Sequence, residues 1–534
     1  MSSRGMCAED TGTDGRICGD TTSMTIDRAK MSDLALFATV FVTGACVLVI
    51  ELMGTRVMAP FYGSGIYTWS ALIAVTLAAL ALGYAFGGRL ADRRPHPVIL
   101  FGLAMAAGLW TLFTPFVARP LLSSLAPLLE LRTGVLLSSL VLFSPNLFLL
   151  GAIGPFVIRL VTSSESVIGS RSGMVFAVST VGSLAGALGT GFFLVPNYGV
   201  QTIFSLCGLL LMMISGLGFL YLRRPLVVLA LPFFALPLLN TGPVAHATIK
   251  ILAQKPSFYG QLQVVEKEGT RVLLVDGIGQ NYSAQNDLYN VRYLNFLSSL
   301  VTTRVAKSGV CNRMLLIGAG AGHLPKLLAN TNVEMDIVEL DADAIELAKA
   351  WFGFSAAQNR IHISDGRRYL EQDRSSYDQI VIDAFSSDQV AVHLLTKEAL
   401  VTTLARLSPH GVLAINVTST ISGKDVSAIY QTLRAVFGNV RAYSPASDTN
   451  KLTSIVFVAS RDQETITVEN SLLQFRQVVD SSAFLDGELD QPSSGIVLTD
   501  DYNPLGHYRS GVRSLWRGAM QKFLGQEELQ WMLF

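Results

Sequence analysis

The sequence predicts two unlike domains in one chain, a multi-pass α-helical membrane domain followed by an α/β domain with a parallel sheet. Three observations carry this. Residues 34–240 are nearly uncharged and hold six apolar runs, each roughly the 20 residues a bilayer core requires. Residues 250–534 have the mixed composition of a water-soluble domain. Within them, Arg313 to Asp383 alternates short apolar runs with helical patterns after a glycine cluster, and three of those runs end in acids.

The composition of the whole chain averages these halves. Only 15% of the 534 residues are charged and the formal net charge is zero, against a usual charged share of about 25%. No basic tract points to nucleic acid. The five cysteines, Cys7, Cys18, Cys46, Cys207 and Cys311, are scattered without metal or redox spacing, so neither a disulfide nor a metal is expected.

In chain order, residues 1–33 are polar and too poor in apolar residues to fold alone. The membrane domain is expected over 34–240, with spans near 34–52, 69–90, 98–118, 135–160, 173–195 and 201–222. A shorter seventh run, 226–240, contains Pro232 and Pro237. Small residues recur in the spans, as in GSLAGALGTG from Gly182 to Gly191, and let helix backbones approach closely. Arg28, Lys30, Arg89, Arg93, Arg94, Arg159, Arg171, Arg223 and Arg224 fall beside alternate span ends. The positive-inside rule makes those ends cytoplasmic. The side taken by the soluble half then depends on whether 226–240 crosses. Glu51 and Arg56 near the end of the first span read as headgroup-level residues beside Trp69.

A β-hairpin and an entry helix are expected over 250–310, from YGQLQVVEKEG, TRVLLVDG and the amphipathic pattern after Asp287. The α/β unit follows over 311–462. Its strands are expected at 313–317, 335–339, 361–363, 379–383, 411–416 and 453–459, and its helices at 322–330, 341–351, 395–407 and 424–437. A more polar extension, 463–534, closes the chain. In a parallel sheet covered on both faces, ligands bind beyond the carboxyl ends of the strands. Gly318, Gly320 and Gly322 suit a tight turn and close approach of a ligand to the backbone. Glu339 ends the next strand, where a carboxylate can accept from both ribose hydroxyls. Asp365 is placed to meet a base amino group. His323 reads as a helix-start residue with a satisfied ring, and His393 as structural. Asp500 and Asp501 suit either a cap on the cleft or a solvated turn. The spacing supports a nucleoside and does not separate a dinucleotide from an adenosyl sulfonium.

The order GAGAG, VELD, SDGRRYL and YDQIVIDAFSSD resembles the spermidine synthase (polyamine aminopropyltransferase) family. LLVDGIGQNYSAQNDLYNVRYL resembles its entry segment. LTDDYNPL, DAFSSDQVAVHLLTKEAL and ELMGTRVMAPFYGSGIYTW resemble its membrane-fused branch, with N-terminal transmembrane helices. The resemblance implies a Rossmann-like, methyltransferase-type fold and transfer of an aminopropyl group from decarboxylated S-adenosylmethionine to a polyamine such as putrescine. It implies Asp383 as general base, and cofactor contacts from Gly318, Gly320, Gly322, Glu339, Asp365, Gly366 and Gln280. Tyr289, Asp388 and Asp501 would contact the amine. Ala321 stands where the family carries an acid that meets the aminopropyl ammonium, and YSPASDTNKLTSIVF shows no match to the family's tryptophan-bearing strand. The partners expected are a small polyamine and the lipid bilayer, and a homodimer is compatible. The cell (inner) membrane is the expected location, with the soluble half cytoplasmic because the co-substrate is cytosolic. The alternatives are an S-adenosylmethionine-dependent methyltransferase and a non-catalytic polyamine transporter or sensor.

Overall fold

The computed structural model describes residues 33–518 apart from 127, 163–166, 224–248, 285–291, 309–312, 356–358, 387–388, 446–447, 462–486, 510, 513–514 and 517. The run 226–240 and the candidates Tyr289 and Asp388 therefore lie outside the described residues.

Among the described residues, six helices are long and apolar enough to cross a membrane: α1 (Asp33–Tyr62), α2 (Ile66–Arg93), α3 (Pro97–Leu125), α4 (Leu131–Val161), α5 (Ile168–Gly189) and α6 (Val200–Tyr221). Helix α5 runs on to Asn197 through a wider π-type turn over Thr190–Leu194. Helices α1 to α4 are longer than the apolar runs alone suggest, because helix continues into the polar flanks. Loops of a few residues between consecutive helices force neighbours to run antiparallel, while α1 with α5, and α2 with α4, run parallel. The small residues explain these tight pairs. A side chain at Gly182 would overlap the Phe41 carbonyl on α1, and one at Gly87 would overlap the Ala152 backbone on α4. Gly87→Leu is expected to separate α2 from α4, since the obstruction is backbone that no rotamer can clear. The check is the yield of monodisperse protein in detergent, which should fall several-fold; Gly102→Leu, at a position with open space, should leave it unchanged.

This antiparallel arrangement sorts the bundle into two ends. Arg89, Arg93, Arg94, Arg159, Arg171 and Arg223 fall at the end that carries Asp33, the α2–α3 loop, the α4–α5 loop and Tyr221. There Arg171 pairs with Asp33 at 2.5 Å and Arg159 with Asp92 at 3.7 Å. The soluble half packs against the opposite end. Arg56 donates to the Phe258 carbonyl at 2.5 Å, and the Tyr67 hydroxyl meets His507 Nδ1 at 2.6 Å. The apolar core of the bundle is continuous with buried Ile249, Val265, Val272 and Leu274 of the soluble half.

The expected hairpin is the centre of a four-stranded antiparallel sheet, β1 (Ile249–Pro256), β2 (Gln261–Lys267), β3 (Thr270–Val275) and β4 (Ile278–Ala284). Its β2–β3 and β3–β4 turns are the two-residue pairs Glu268-Gly269 and Asp276-Gly277, all four with positive φ. That is the turn whose twist matches paired strands. Helix α7 (Arg292–Ser308) leads into the main sheet.

The main sheet contains β5 (Arg313–Ile317), β6 (Glu334–Glu339), β7 (Asn359–Ile363), β8 (Tyr377–Ile382), β11 (Leu407–Ser419), β12 (Asn439–Tyr443) and β13 (Thr453–Ser460), in the order β12-β13-β11-β8-β5-β6-β7. A two-stranded ribbon, β9 (Phe385–Ser386) with β10 (Gln389–Val390), stands apart. The sheet is mixed rather than all parallel, because β13 runs antiparallel to both β11 and β12. The β12 strand is additional to the expected set; five residues at a sheet edge leave little periodicity to read. The intervening helices are α8 (His323–Leu327), α9 (Ala342–Phe352), α10 (Gly366–Gln372), α11 (Lys397–Arg406) and α12 (Lys424–Arg434), and a short α13 (Leu505–Tyr508) lies in the C-terminal extension. The chain moves outward from β5 to β7, then returns to β8 on the other side of β5. That reversal opens a crevice at the carboxyl ends of β5 and β8.

Candidate active site

The crevice is a cleft of about 820 Å³, within the size range of small-molecule sites. One wall is the carboxyl edge of the main sheet, the other is the four-stranded sheet, and Trp516 of the C-terminal extension also borders the cleft. Gly318, Gly320, Glu339, Asp365, Gly366, Gln280 and Asp383 all border it. Gly318 has φ of 93°, and a side chain there would overlap the Asp383 backbone, so only glycine lets the loop and the end of β8 touch. Gly322 instead starts α8 with φ of 76° against Phe354, and is not among the residues lining the cleft.

Asp383 follows β8 directly. Its carboxylate accepts from Asn416 Nδ2 at 2.9 Å and from the Tyr293 hydroxyl at 3.2 Å. Burial pushes its pKa up to about 6, while the Asn416 and Tyr293 bonds pull the other way. The group is therefore ionised at neutral pH yet more basic than an ordinary aspartate. Asn416→Leu removes a donor that favours the charged form, so the acidic limb of the rate profile should move above pH 6, measured as kcat/KM against pH.

Glu339 accepts from the Ala319 N–H at 2.8 Å on one oxygen and the Asp341 N–H at 3.0 Å on the other. Burial raises its pKa against those bonds. The Leu340 N–H adds a third donor, and of the roughly four acceptor positions of an ionised carboxylate about one remains for a ligand hydroxyl. Asp365 caps α10 by accepting from the Arg368 N–H at 3.0 Å, and meets His393 Nε2 at 2.7 Å. Partial burial would raise its pKa, but the Arg368 and His393 bonds outweigh this and hold it below the usual value. Asp341 caps α9 and accepts from Ser257 Oγ at 2.5 Å, which ties the four-stranded sheet to the glycine-loop side of the cleft.

The structure places Asp501 away from the cleft and gives the two histidines surroundings other than expected. Asp501 is exposed in the Thr499–Tyr502 turn and does not border the cleft. Its neighbour Asp500 points elsewhere, binding Arg367 through two bonds of 2.6 and 2.5 Å. That pair ties the extension to α10. His323 is 3% exposed and borders the cleft, but among the described residues neither ring nitrogen has a partner, so its ring is not satisfied there. His393 is engaged by Asp365 rather than purely structural. Sequence reasoning also missed Tyr293, Asn416, Tyr259 and Trp516 at the cleft. Of these only Asn416 left a trace, as an amide within the apolar run VLAINV.

Four carboxylates line the cleft, Glu339, Asp341, Asp365 and Asp383, and no lysine or arginine is among its described lining residues.

The strand order and edge site define a Rossmann-like, methyltransferase-type domain behind a bundle of six membrane-length helices. The spermine/spermidine synthase domain family matches residues 296–470. The chain is 32% identical over 205 residues to a polyamine aminopropyltransferase of Vibrio vulnificus, covering 36% of this chain and 68% of that protein. It is 27% identical over 206 residues to one from Nitrosomonas europaea, covering 37% and 61% respectively. A solved structure of a probable spermidine synthase from Corynebacterium glutamicum superposes with a TM-score of 0.40 at 16% identity, covering 48% of this chain and 97% of that one. The chain belongs to the polyamine aminopropyltransferase family and is, as such, a transferase.

Proposed function

We propose that the cleft transfers an aminopropyl group from decarboxylated S-adenosylmethionine to an amine, with putrescine as the default acceptor. The observation that carries this is the charge of the cleft. Four carboxylates with no lysine or arginine among the described lining residues favour a ligand that carries positive charge and no carboxylate. Decarboxylated S-adenosylmethionine carries a sulfonium and an ammonium and lacks the carboxylate of S-adenosylmethionine, and a polyamine is a cation too. The aromatic rings of Tyr259, Tyr293 and Trp516 at the cleft add faces that attract ammonium groups.

The residues divide the work. Glu339 would hold a ribose hydroxyl, with Asp365 and Gly366 at the base and Gly318 and Gly320 beside the nucleoside. Asp383 accepts the proton of the attacking amine. A C–N bond forms at the carbon next to sulfur as the C–S bond breaks. The bonding pair leaves with a neutral thioether, so no acid is needed. Purified protein with the decarboxylated sulfonium and a panel of amines should release methylthioadenosine. Absence of release with every amine would sink the reading. Competition between the sulfonium and S-adenosylmethionine separates it from a methyltransferase, and polyamine flux that survives Asp383→Asn would instead indicate a transporter.

The spans point to insertion in the cell membrane, and the bundle's charges bear on orientation. Six arginines lie at one end of the bundle, against Arg56, Arg119 and Arg132 at the end where the soluble half packs. By the positive-inside rule, we infer that the cleft faces away from the cytoplasm. This departs from the cytoplasmic placement expected from co-substrate supply. A reporter fused after Phe534 discriminates the two: alkaline phosphatase should be active there, and a fluorescent cytoplasmic reporter active in its place would overturn the inference.

A further inference from the structure

A second cavity, of about 420 Å³, lies in the seam between the helical bundle and the four-stranded sheet, and its size suits a small ligand. The turn from Ser257 to Gly260 divides it from the cleft: Ser257 and Gly260 border the seam cavity, while Tyr259 borders the cleft. Elsewhere the seam is apolar, since buried Val265, Val272 and Leu274 join the core of the bundle. The cavity interrupts that packing with polar side chains from both halves. Arg56 comes from α1, Thr202 and Ser205 from α6, and Gln254, Gln261 and Asp276 from the sheet and its turns.

Two of these are charged, and the local fold requires neither charge. Asp276 is 6% exposed and accepts from the Gln261 N–H at 2.9 Å. It starts an Asp-Gly turn with φ of 49°. Asn-Gly serves such a turn equally well, whereas burying a carboxylate is costly. Arg56 uses one of its five N–H donors on the Phe258 carbonyl, a bond that a neutral donor would also make. The cavity also lies at the level of the span ends. Arg56 is within the last two turns of α1, and Tyr198 and Gly199 form the corner between α5 and α6. Tyr198 stands edge-on to Phe193, which is 59% exposed on a membrane-length helix, so the rim of the cavity continues into the face that lipid covers.

We propose that this cavity binds a phospholipid headgroup that combines a phosphate with a primary ammonium, as in phosphatidylethanolamine, with the phosphate on Arg56 and the ammonium on Asp276. A guanidinium matches phosphate oxygens through paired N–H donors. A primary ammonium donates to the Asp276 carboxylate and the glutamine carbonyls, and a trimethylammonium has no N–H to donate. A headgroup with a phosphate alone places its charge against Asp276 without compensation. The same zwitterion exists free in solution as glycerophosphoethanolamine. The lipid form is favoured because Met53, Val195 and Val200 give the cavity an apolar side on which acyl chains can lie.

The test is native mass spectrometry of the full chain in detergent, titrated with dioleoyl phosphatidylethanolamine, phosphatidylcholine or phosphatidylglycerol. The first lipid bound should be phosphatidylethanolamine, preferred over the other two by about tenfold, the yield of one hydrogen bond to a charged group. Asp276→Asn suits the turn and keeps an acceptor for the Gln261 N–H, so the protein should melt as before while the preference over phosphatidylglycerol disappears. Arg56→Gln keeps a donor for the Phe258 carbonyl and should weaken the first binding event about tenfold. Equal retention of the three lipids by the unaltered protein overturns the inference. So does a preference that survives Asp276→Asn, or first-site affinity unchanged in Arg56→Gln. Displacement of the lipid by an equal concentration of glycerophosphoethanolamine would make a free zwitterion the occupant and overturn the lipid assignment.

Discussion

Asp383→Asn should lower kcat by about 10²–10⁴-fold, the usual contribution of a positioned general base, with little change in nucleoside affinity. In the unaltered enzyme, kcat/KM should rise with pH through an inflection at about 6, where Asp383 gives up its proton. The linkage has the opposite sign for stability. A carboxyl whose folded pKa is raised binds its proton more tightly when folded. Its contribution to stability is complete below the ordinary aspartate value of 3.8 and is lost as pH rises through about 6. At pH 8 the native enzyme thus holds a buried charge that the Asp383→Asn protein lacks, and the inactive variant should resist unfolding at least as well as the active protein. Pre-steady-state methylthioadenosine release and a melt at pH 8 check the two halves of this expectation. Equal inactivation at every pH with no acidic limb in the parent would remove Asp383 from the role of base.

Arg509→Met should destabilise the edge of the α/β domain by about 3–5 kcal/mol, the cost of leaving a buried charge alone. Arg509 and Asp425 are each 1% exposed at the side chain and pair at 2.8 Å. Arg509 also donates to the Thr418 carbonyl at 2.9 Å, and Ser419 Oγ donates to Asp425 at 2.7 Å. The pair joins the C-terminal extension to the end of β11 and the start of α12, next to Thr418 at the cleft. Hydrogen exchange at β11 and α12 amides reads the loss locally, which suits a chain with two unlike domains better than one global melt. Asp425→Leu combined with Arg509→Met should recover most of the protection, because an apolar pair of similar volume removes the stranded charge.

Much of this was legible in the sequence because the signals are local. Apolar runs of bilayer length gave the six spans, and alternating runs gave the strands that bring Glu339, Asp365 and Asp383 to one edge. The Asp-Gly at 276–277 marks a turn, although the strand beyond it reads as loop. The rest depends on contacts remote in sequence. Asn416 reaches Asp383 across 33 positions and Arg367 reaches Asp500 across 133, and only the folded sheet and extension bring them together. Asp500 and Asp501 are chemically equal neighbours in the chain; the direction of a single turn decides which one meets Arg367. His323 could not be weighed from spacing, since whether an imidazole is satisfied depends on every element packed around it.

The position of the soluble half at the bundle end away from the arginine-rich loops makes turnover a question of sidedness. In sealed vesicles prepared in both orientations, a nucleotide-derived substrate that does not cross lipids would be consumed in one population and spared in the other until detergent is added. Latency of that kind would turn the bundle from an anchor into a boundary between the pool that makes the sulfonium and the pool that receives the product.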